Sequence, residues 1–153
     1  MKIIELLNQD QVLPDLHATN KRGVLEELAA TLVPGSEGLD LLTVVEVLME
    51  RERLGSTGIG DSIAIPHGKL ANLSQLKLAF GRSLNGVDFD SLDGKPSHLF
   101  FLLLTPANSA GLHLKALAKI SRMLMNQSFR ESLMQADTPE RIFDLLVEKD
   151  AEI

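Results

Sequence analysis

The stretch Pro96-Ser97-His98-Leu99-Phe100-Phe101-Leu102-Leu103-Leu104-Thr105-Pro106 decides the architecture. Its apolar run, Leu99 to Leu104, is six residues long and bounded by prolines. Proline lacks a backbone donor and interrupts regular structure, so the run has the length of a strand rather than a helix. A strand with one wet face alternates apolar and polar residues. An unbroken apolar run instead predicts a strand over Ser97 to Thr105 that is covered on both faces. It is far short of the ~20 apolar residues that span a bilayer.

Working outward, the covering elements can be read. Downstream, Leu114, Leu117, Ala118, Ile120, Met123 and Leu124 recur at helical spacing and predict a helix of about four turns. Shorter helices are expected near 127–135 and 139–149, the last announced by Thr138-Pro139. Upstream, Leu76-Lys77-Leu78-Ala79-Phe80 alternates with period two and reads as a second strand. Further back, Val24, Leu25, Leu28, Ala29 and Leu32 form a helical stripe after a Thr19 cap, stopped by Pro34-Gly35. Asp40 caps another helix with the stripe Leu41, Val44, Val45 and Leu48, ended by Gly55. No repeat, low-complexity tract or linker divides the chain, so residues 1–153 are expected to form one α/β domain with helices covering a mixed sheet.

Composition removes several functions. With 44% apolar residues, 24% charged residues and 153 positions, the chain can bury a core. Fifteen Lys+Arg against 21 Asp+Glu give a net charge of −6, the wrong sign for a nucleic-acid binder. Six Phe are the only aromatics, leaving little for base stacking. Without cysteine there is no thiolate nucleophile, disulfide, Cys-ligated zinc or iron–sulfur cluster. The start, Met1-Lys2-Ile3-Ile4-Glu5-Leu6-Leu7-Asn8, lacks the pattern of a signal peptide. A cytoplasmic protein with no membrane insertion is expected.

The most unusual segment by composition runs Gly55-Ser56-Thr57-Gly58-Ile59-Gly60-Asp61-Ser62-Ile63-Ala64-Ile65-Pro66-His67-Gly68-Lys69. Gly55, Ser56, Thr57 and Gly58 have the makings of a loop that aims N–H groups at an anion. A turn-rich connection accounts for the same glycines. No P-loop is present, because Leu70 follows Gly68-Lys69, and Ile63 stands where a dinucleotide fingerprint needs its third glycine. Pro66 stiffens the approach to His67, and Gly68 behind it leaves the imidazole uncrowded. Neutral imidazole is a competent nucleophile, although a surface or structural role is the more usual one for an isolated histidine. His113 leads an apolar stripe on the later helix, and Arg51 leans toward the apolar side of its own helix; either is explicable as packing. His17 and His98 read as structural. The four histidines show no metal-ligand spacing, so no metal or cofactor is expected. Ser56 and Ser62 do not match a Gly-x-Ser-x-Gly elbow.

Glu52, followed by Ile59-Gly60-Asp61-Ser62-Ile63-Ala64-Ile65-Pro66-His67-Gly68, resembles the phosphohistidine signature of enzyme IIA of the fructose/mannitol class. These proteins belong to the bacterial phosphoenolpyruvate-dependent phosphotransferase system. The longer stretch from Arg51 to Leu70 is most similar to the nitrogen-regulatory branch. The likeness extends through Pro106-Ala107 and Leu112-His113-Leu114 to the terminal helices. It implies a single mixed β-sheet flanked by helices on both faces. It also implies that His67 accepts a phosphoryl group from an HPr-like, histidine-phosphorylated carrier. The position of His113 is then that of a phosphoryl-stabilising histidine, and Arg51 lies beside the site. For Arg51, contact with the phosphoryl group and orientation of a neighbour both stay open. The Gly55–Gly58 loop would add backbone N–H groups, and downstream regulatory target proteins are the expected further partners. A sugar-specific IIA component that passes phosphate to a separate IIB protein is the alternative. With no cysteine in these 153 residues, an attached IIB domain of the cysteine-phosphorylated kind is not expected, which favours the regulator.

Overall fold

The computed structural model describes residues 2–36 and 38–153. The expected central strand is present one residue longer, as Ser97–Pro106, and every other element is placed by it. In chain order the regular elements are β1 (Val12–Leu13), α1 (Lys21–Ala30), α2 (Leu41–Arg53), β2 (Gly58–Gly60), β3 (Ile63–Ala64) and β4 (His67–Leu70). After them come β5 (Lys77–Val87), β6 (Ser97–Pro106), α3 (Ala110–Leu124), α4 (Gln127–Gln135) and α5 (Pro139–Glu152). Short 3-10 turns at Ile3–Glu5 and Gln9–Gln11 precede β1.

The strands form one mixed sheet in the order β1-β5-β6-β3-β2, with β4 also paired to β6. β6 runs antiparallel to β5 and parallel to β3 and β4. Side chains alternate across a strand, so β6 serves two cores. Leu99, Phe101 and Leu103 pack with α3, α4 and α5, whereas Phe100, Leu102 and Leu104 pack with α1 and α2. This is the physical basis of the unbroken apolar run: no position on β6 between 99 and 104 sees water. Among the described residues no helix is long and apolar enough to cross a membrane.

Several boundaries differ from the sequence reading. The first helix is capped by Asn20, whose side chain accepts from the Gly23 amide at 2.8 Å, rather than by Thr19. It ends at Ala30, before Pro34 is reached. The second strand continues from the expected 76–80 to Val87. α3 begins at Ala110 rather than 114. Residues 55–68 are more than a connection, since they contain β2, β3 and the start of β4.

β2 and β3 form a hairpin whose turn residues, Asp61 (φ 55°) and Ser62 (φ 70°), are both left-handed. Two consecutive positive φ values are those of a type I′ turn, whose second position favours glycine. Ser62→Gly is therefore expected to raise stability by about 0.5 kcal/mol, the steric relief exceeding the added freedom of the unfolded chain. Urea unfolding at neutral pH measures it; a lower midpoint for the variant would contradict the strain.

Candidate functional site

Three of the residues singled out in the sequence meet in one pocket. Arg51 lies in the last turn of α2, a helix started by Asp40, whose carboxylate accepts from the Thr43 amide at 3.0 Å. Burial of Val44, Val45 and Leu48 fixes the rotation of α2, and Arg51 emerges half-buried at its C-terminal end. His67 opens β4, held in the sheet opposite Leu103. Gly68 lets the two elements approach. A Cβ at that position would lie 2.9 Å from Val47 Cγ1 and 3.5 Å from Leu48 Cδ2. The glycine thus admits α2 onto β4, and its freeing of the imidazole is secondary.

The His67 ring is half-buried and held at both nitrogens. Its Nδ1 is 2.8 Å from the carbonyl oxygen of Ile65, which can only accept. Nδ1 therefore carries the proton, and the Nε2 lone pair is the nucleophile. Arg51 Nε donates to that Nε2 at 3.3 Å, while Arg51 Nη1 donates to the Gly55 carbonyl at 2.8 Å. His113, on the second turn of α3, is buried, and its ring centroid lies 5.1 Å from that of His67 in an edge-on arrangement. Its Nδ1 is 2.8 Å from Thr105 Oγ1. The shared pocket encloses about 470 Å³ and is also lined by Val47, Leu54 and Lys69.

Burial pushes the His67 titration below its ordinary value, and Arg51 and Lys69 add to this; the Ile65 carbonyl and Glu52 act the other way without reversing it. His113 is lowered too, again chiefly by burial, then by His67, Lys69 and Arg51. Both rings are consequently neutral near pH 7. The site thus offers an unprotonated imidazole nitrogen beside a permanent cation.

The Gly55–Gly58 loop does not line this pocket, and the amides of Gly55, Thr57 and Gly58 are already engaged. Gly55 N donates to the Glu52 carbonyl at 3.1 Å, Thr57 N to Glu52 Oε1 at 3.1 Å, and Gly58 N to Ser56 Oγ at 3.0 Å. Its expected role as a cradle of free N–H groups is therefore replaced by a framing role. The frame is built on Glu52, which is buried, takes the Thr57 hydroxyl as well as its amide, and pairs with Lys21 Nζ at 3.0 Å. Lys21 also lies 4.8 Å above the Phe89 ring. Thr57 in turn accepts the Ile65 amide at 3.1 Å, one step from the carbonyl that holds His67. His17 pairs with Glu27 at 3.2 Å and His98 Nδ1 lies 2.9 Å from the Ser83 carbonyl, so neither belongs to the site.

Two contributors escaped the sequence reading. Glu52 carries no visible signal beyond its place in the quoted motif. Thr105 had one: it is the single polar residue between the apolar run and Pro106.

Residues 5–149 match the family described as the phosphoenolpyruvate-dependent sugar phosphotransferase system, EIIA 2. The chain belongs to this EIIA type 2 family. Within it, the chain is 40% identical over 146 residues to a nitrogen regulatory protein of Bradyrhizobium diazoefficiens, covering 95% of each. It is 37% identical over 150 residues to the fructose-specific EIIABC component of Bacillus subtilis, where 98% of this chain corresponds to 24% of that protein. The crystal structure of nitrogen regulatory protein IIA-Ntr from Neisseria meningitidis superposes with a TM-score of 0.88 at 40% identity, covering 94% of this chain and 98% of that one. An EIIA type 2 domain therefore accounts for both the sheet and its two helical layers.

Proposed function

We propose that this EIIA type 2 chain is a cytoplasmic phosphoryl acceptor of the nitrogen branch, whose His67 is charged by an HPr-like, histidine-phosphorylated carrier and whose phosphorylation state selects target proteins. The observation that carries the reading is the neutral Nε2 of His67, facing a pocket beside Arg51 and His113. In the transfer, the N–P bond on the carrier histidine breaks and its electron pair returns to that ring. The Nε2 lone pair of His67 forms the new N–P bond, and the proton stays on Nδ1, whose hydrogen bond to the Ile65 carbonyl stabilises the charged ring that results. The transition state is loose, so alignment and charge stabilisation of the equatorial oxygens are what the protein supplies. Arg51 Nε can move from His67 Nε2 to a phosphoryl oxygen while Nη1 stays anchored on Gly55. His113 supplies a second donor. The product adds about −1.5 to −2 charge at one spot, enough to change which surfaces dock there.

The near full-length likeness to nitrogen regulatory proteins favours the regulator. The likeness to the fructose-specific EIIABC component supports a second reading, in which the phosphate passes to a IIB protein. Incubation with phosphoenolpyruvate, enzyme I and the carrier is expected to place an acid-labile phosphate on the folded protein. Wild-type protein that stays unlabelled would overturn both readings. Rapid discharge of the labelled protein to a IIB partner would favour the second, and phosphorylation-dependent capture of other proteins without such discharge the first.

A further inference from the structure

The buried end of β6 carries a polar group that the reaction as described leaves unused. Thr105 is fully buried, and its hydroxyl has two neighbours: His113 Nδ1 at 2.8 Å and the Gly68 carbonyl at 3.4 Å. A hydroxyl has one proton to give. The contact to Gly68 lies beyond the 2.5–3.0 Å range of a good O–H···O bond, whereas the contact to His113 is short. With the proton placed on the short contact, the hydroxyl donates and Nδ1 accepts; with it directed at the Gly68 carbonyl, Nδ1 donates to Oγ1 instead. A neutral imidazole that accepts at Nδ1 must carry its own proton on Nε2. With Nδ1 tied to β6, Nε2 at the far end of the ring is the group left for the pocket shared with His67.

We propose that Thr105 is a positioning residue, whose hydroxyl donates to His113 Nδ1 and so keeps the His113 Nε2 proton available as a donor to the phosphoryl group. The inference rests on the phosphoryl-acceptor reading for its catalytic consequence, but the direction of the hydrogen bond stands apart from it. The opposite direction would leave His113 with a bare Nε2 lone pair, which repels phosphoryl oxygens. The two histidines are then held in opposite tautomers by different partners: His67 by a carbonyl that accepts, His113 by a hydroxyl that donates. One ring is made a nucleophile and the other a donor.

The test combines ring nitrogen spectroscopy with a double-mutant cycle on the full chain. Long-range nitrogen–proton correlation spectra of the wild type are expected to show His113 protonated at Nε2 and unprotonated at Nδ1 at neutral pH. A His113 ring protonated at Nδ1 overturns the proposal, whether or not the protein takes up phosphate. Phosphoryl uptake from the carrier is expected to slow about 10-fold in Thr105→Val and to recover in Thr105→Ser. Because Thr105 acts through His113, the pair Thr105→Val with His113→Ala should be no slower than His113→Ala alone. Wild-type uptake in folded Thr105→Val, or losses that multiply in the double variant, would also overturn it. If Thr105→Val does not fold, Thr105→Ala replaces it in the same cycle, and the wild-type spectrum decides regardless. Failure of the wild type to label defeats the acceptor reading alone, since the tautomer is read independently.

Discussion

His67→Ala is expected to abolish phosphoryl uptake from the carrier, whereas His113→Ala leaves it measurable but slower by about 10²-fold. The asymmetry follows from the ring nitrogens. His67 presents an unprotonated Nε2 to the pocket because its other nitrogen is committed to the Ile65 carbonyl at 2.8 Å. His113 has its Nδ1 committed to Thr105 at 2.8 Å and is buried, so it cannot take over as acceptor without leaving β6. The pH profile carries a second signature. Transfer needs neutral His67, and burial, with help from Arg51 and Lys69, lowers its titration below the ordinary 6.5. Uptake should hold a plateau through neutrality and decline only when acidification reaches below 6.5, where the ring protonates and loses its lone pair. Titration of the His67 ring signals by NMR separates this group from those of the carrier. A transition at or above the ordinary value would contradict the burial argument, and label retained in His67→Ala would move the acceptor elsewhere.

How much of this was visible beforehand depended on how far each signal reached along the chain. The β6 run was readable to one residue, because six apolar positions between prolines admit few alternatives. β2 to β4 were not, since segments of two to four residues interrupted by glycine show no period. The early start of α3 was hidden by Gly111, which lowers helix propensity without preventing the first turn. His67, Arg51 and His113 were reachable through a family motif, but their convergence needed the close passage of α2 over Gly68. The buried charges were the least legible. Glu52, Arg82 and Asp150 are buried, and nothing near them in sequence reveals a partner on a distant element. Asp150, for instance, pairs with Lys119 at 2.9 Å and accepts the Ile4 amide at 3.1 Å, tying α5 to the first 3-10 turn. Thr105 and Glu52 meet the groups around the two histidines through tertiary geometry.

Arg82 illustrates how costly such a hidden partner is to remove. It lies on β5, 4% exposed, and its guanidinium reaches across the sheet edge to two segments at once. Nε donates to the Pro14 carbonyl at 2.9 Å, and Nη1 to the carbonyls of Leu133 at 2.9 Å, Met134 at 3.3 Å and Ala136. Three of these belong to the C-terminal end of α4, where carbonyls have no helical donor and a cation is favoured. Its carboxylate neighbour, Asp15, is 3.9 Å away and mostly exposed, so the carbonyls rather than an ion pair hold the charge. Arg82→Met keeps most of the packing but leaves these acceptors without their donor. The loss should be about 3 kcal/mol, which for a chain of this size lowers the melting temperature by about 10 °C. Arg82→Lys should recover only part of it, because one ammonium cannot span Pro14 and the end of α4 together as the planar fork does. Calorimetry measures both, and a Met variant melting within about 2 °C of wild type would show the carbonyls to be satisfied by water. Labelling of His67 in the folded Met variant, well below its transition, should proceed as in the wild type, since the hydrogen bonds of Arg82 go to Pro14 and the end of α4 and to none of α2, β4 or α3. The same side chain would then be indispensable to the sheet that carries the histidine and irrelevant to what the histidine does.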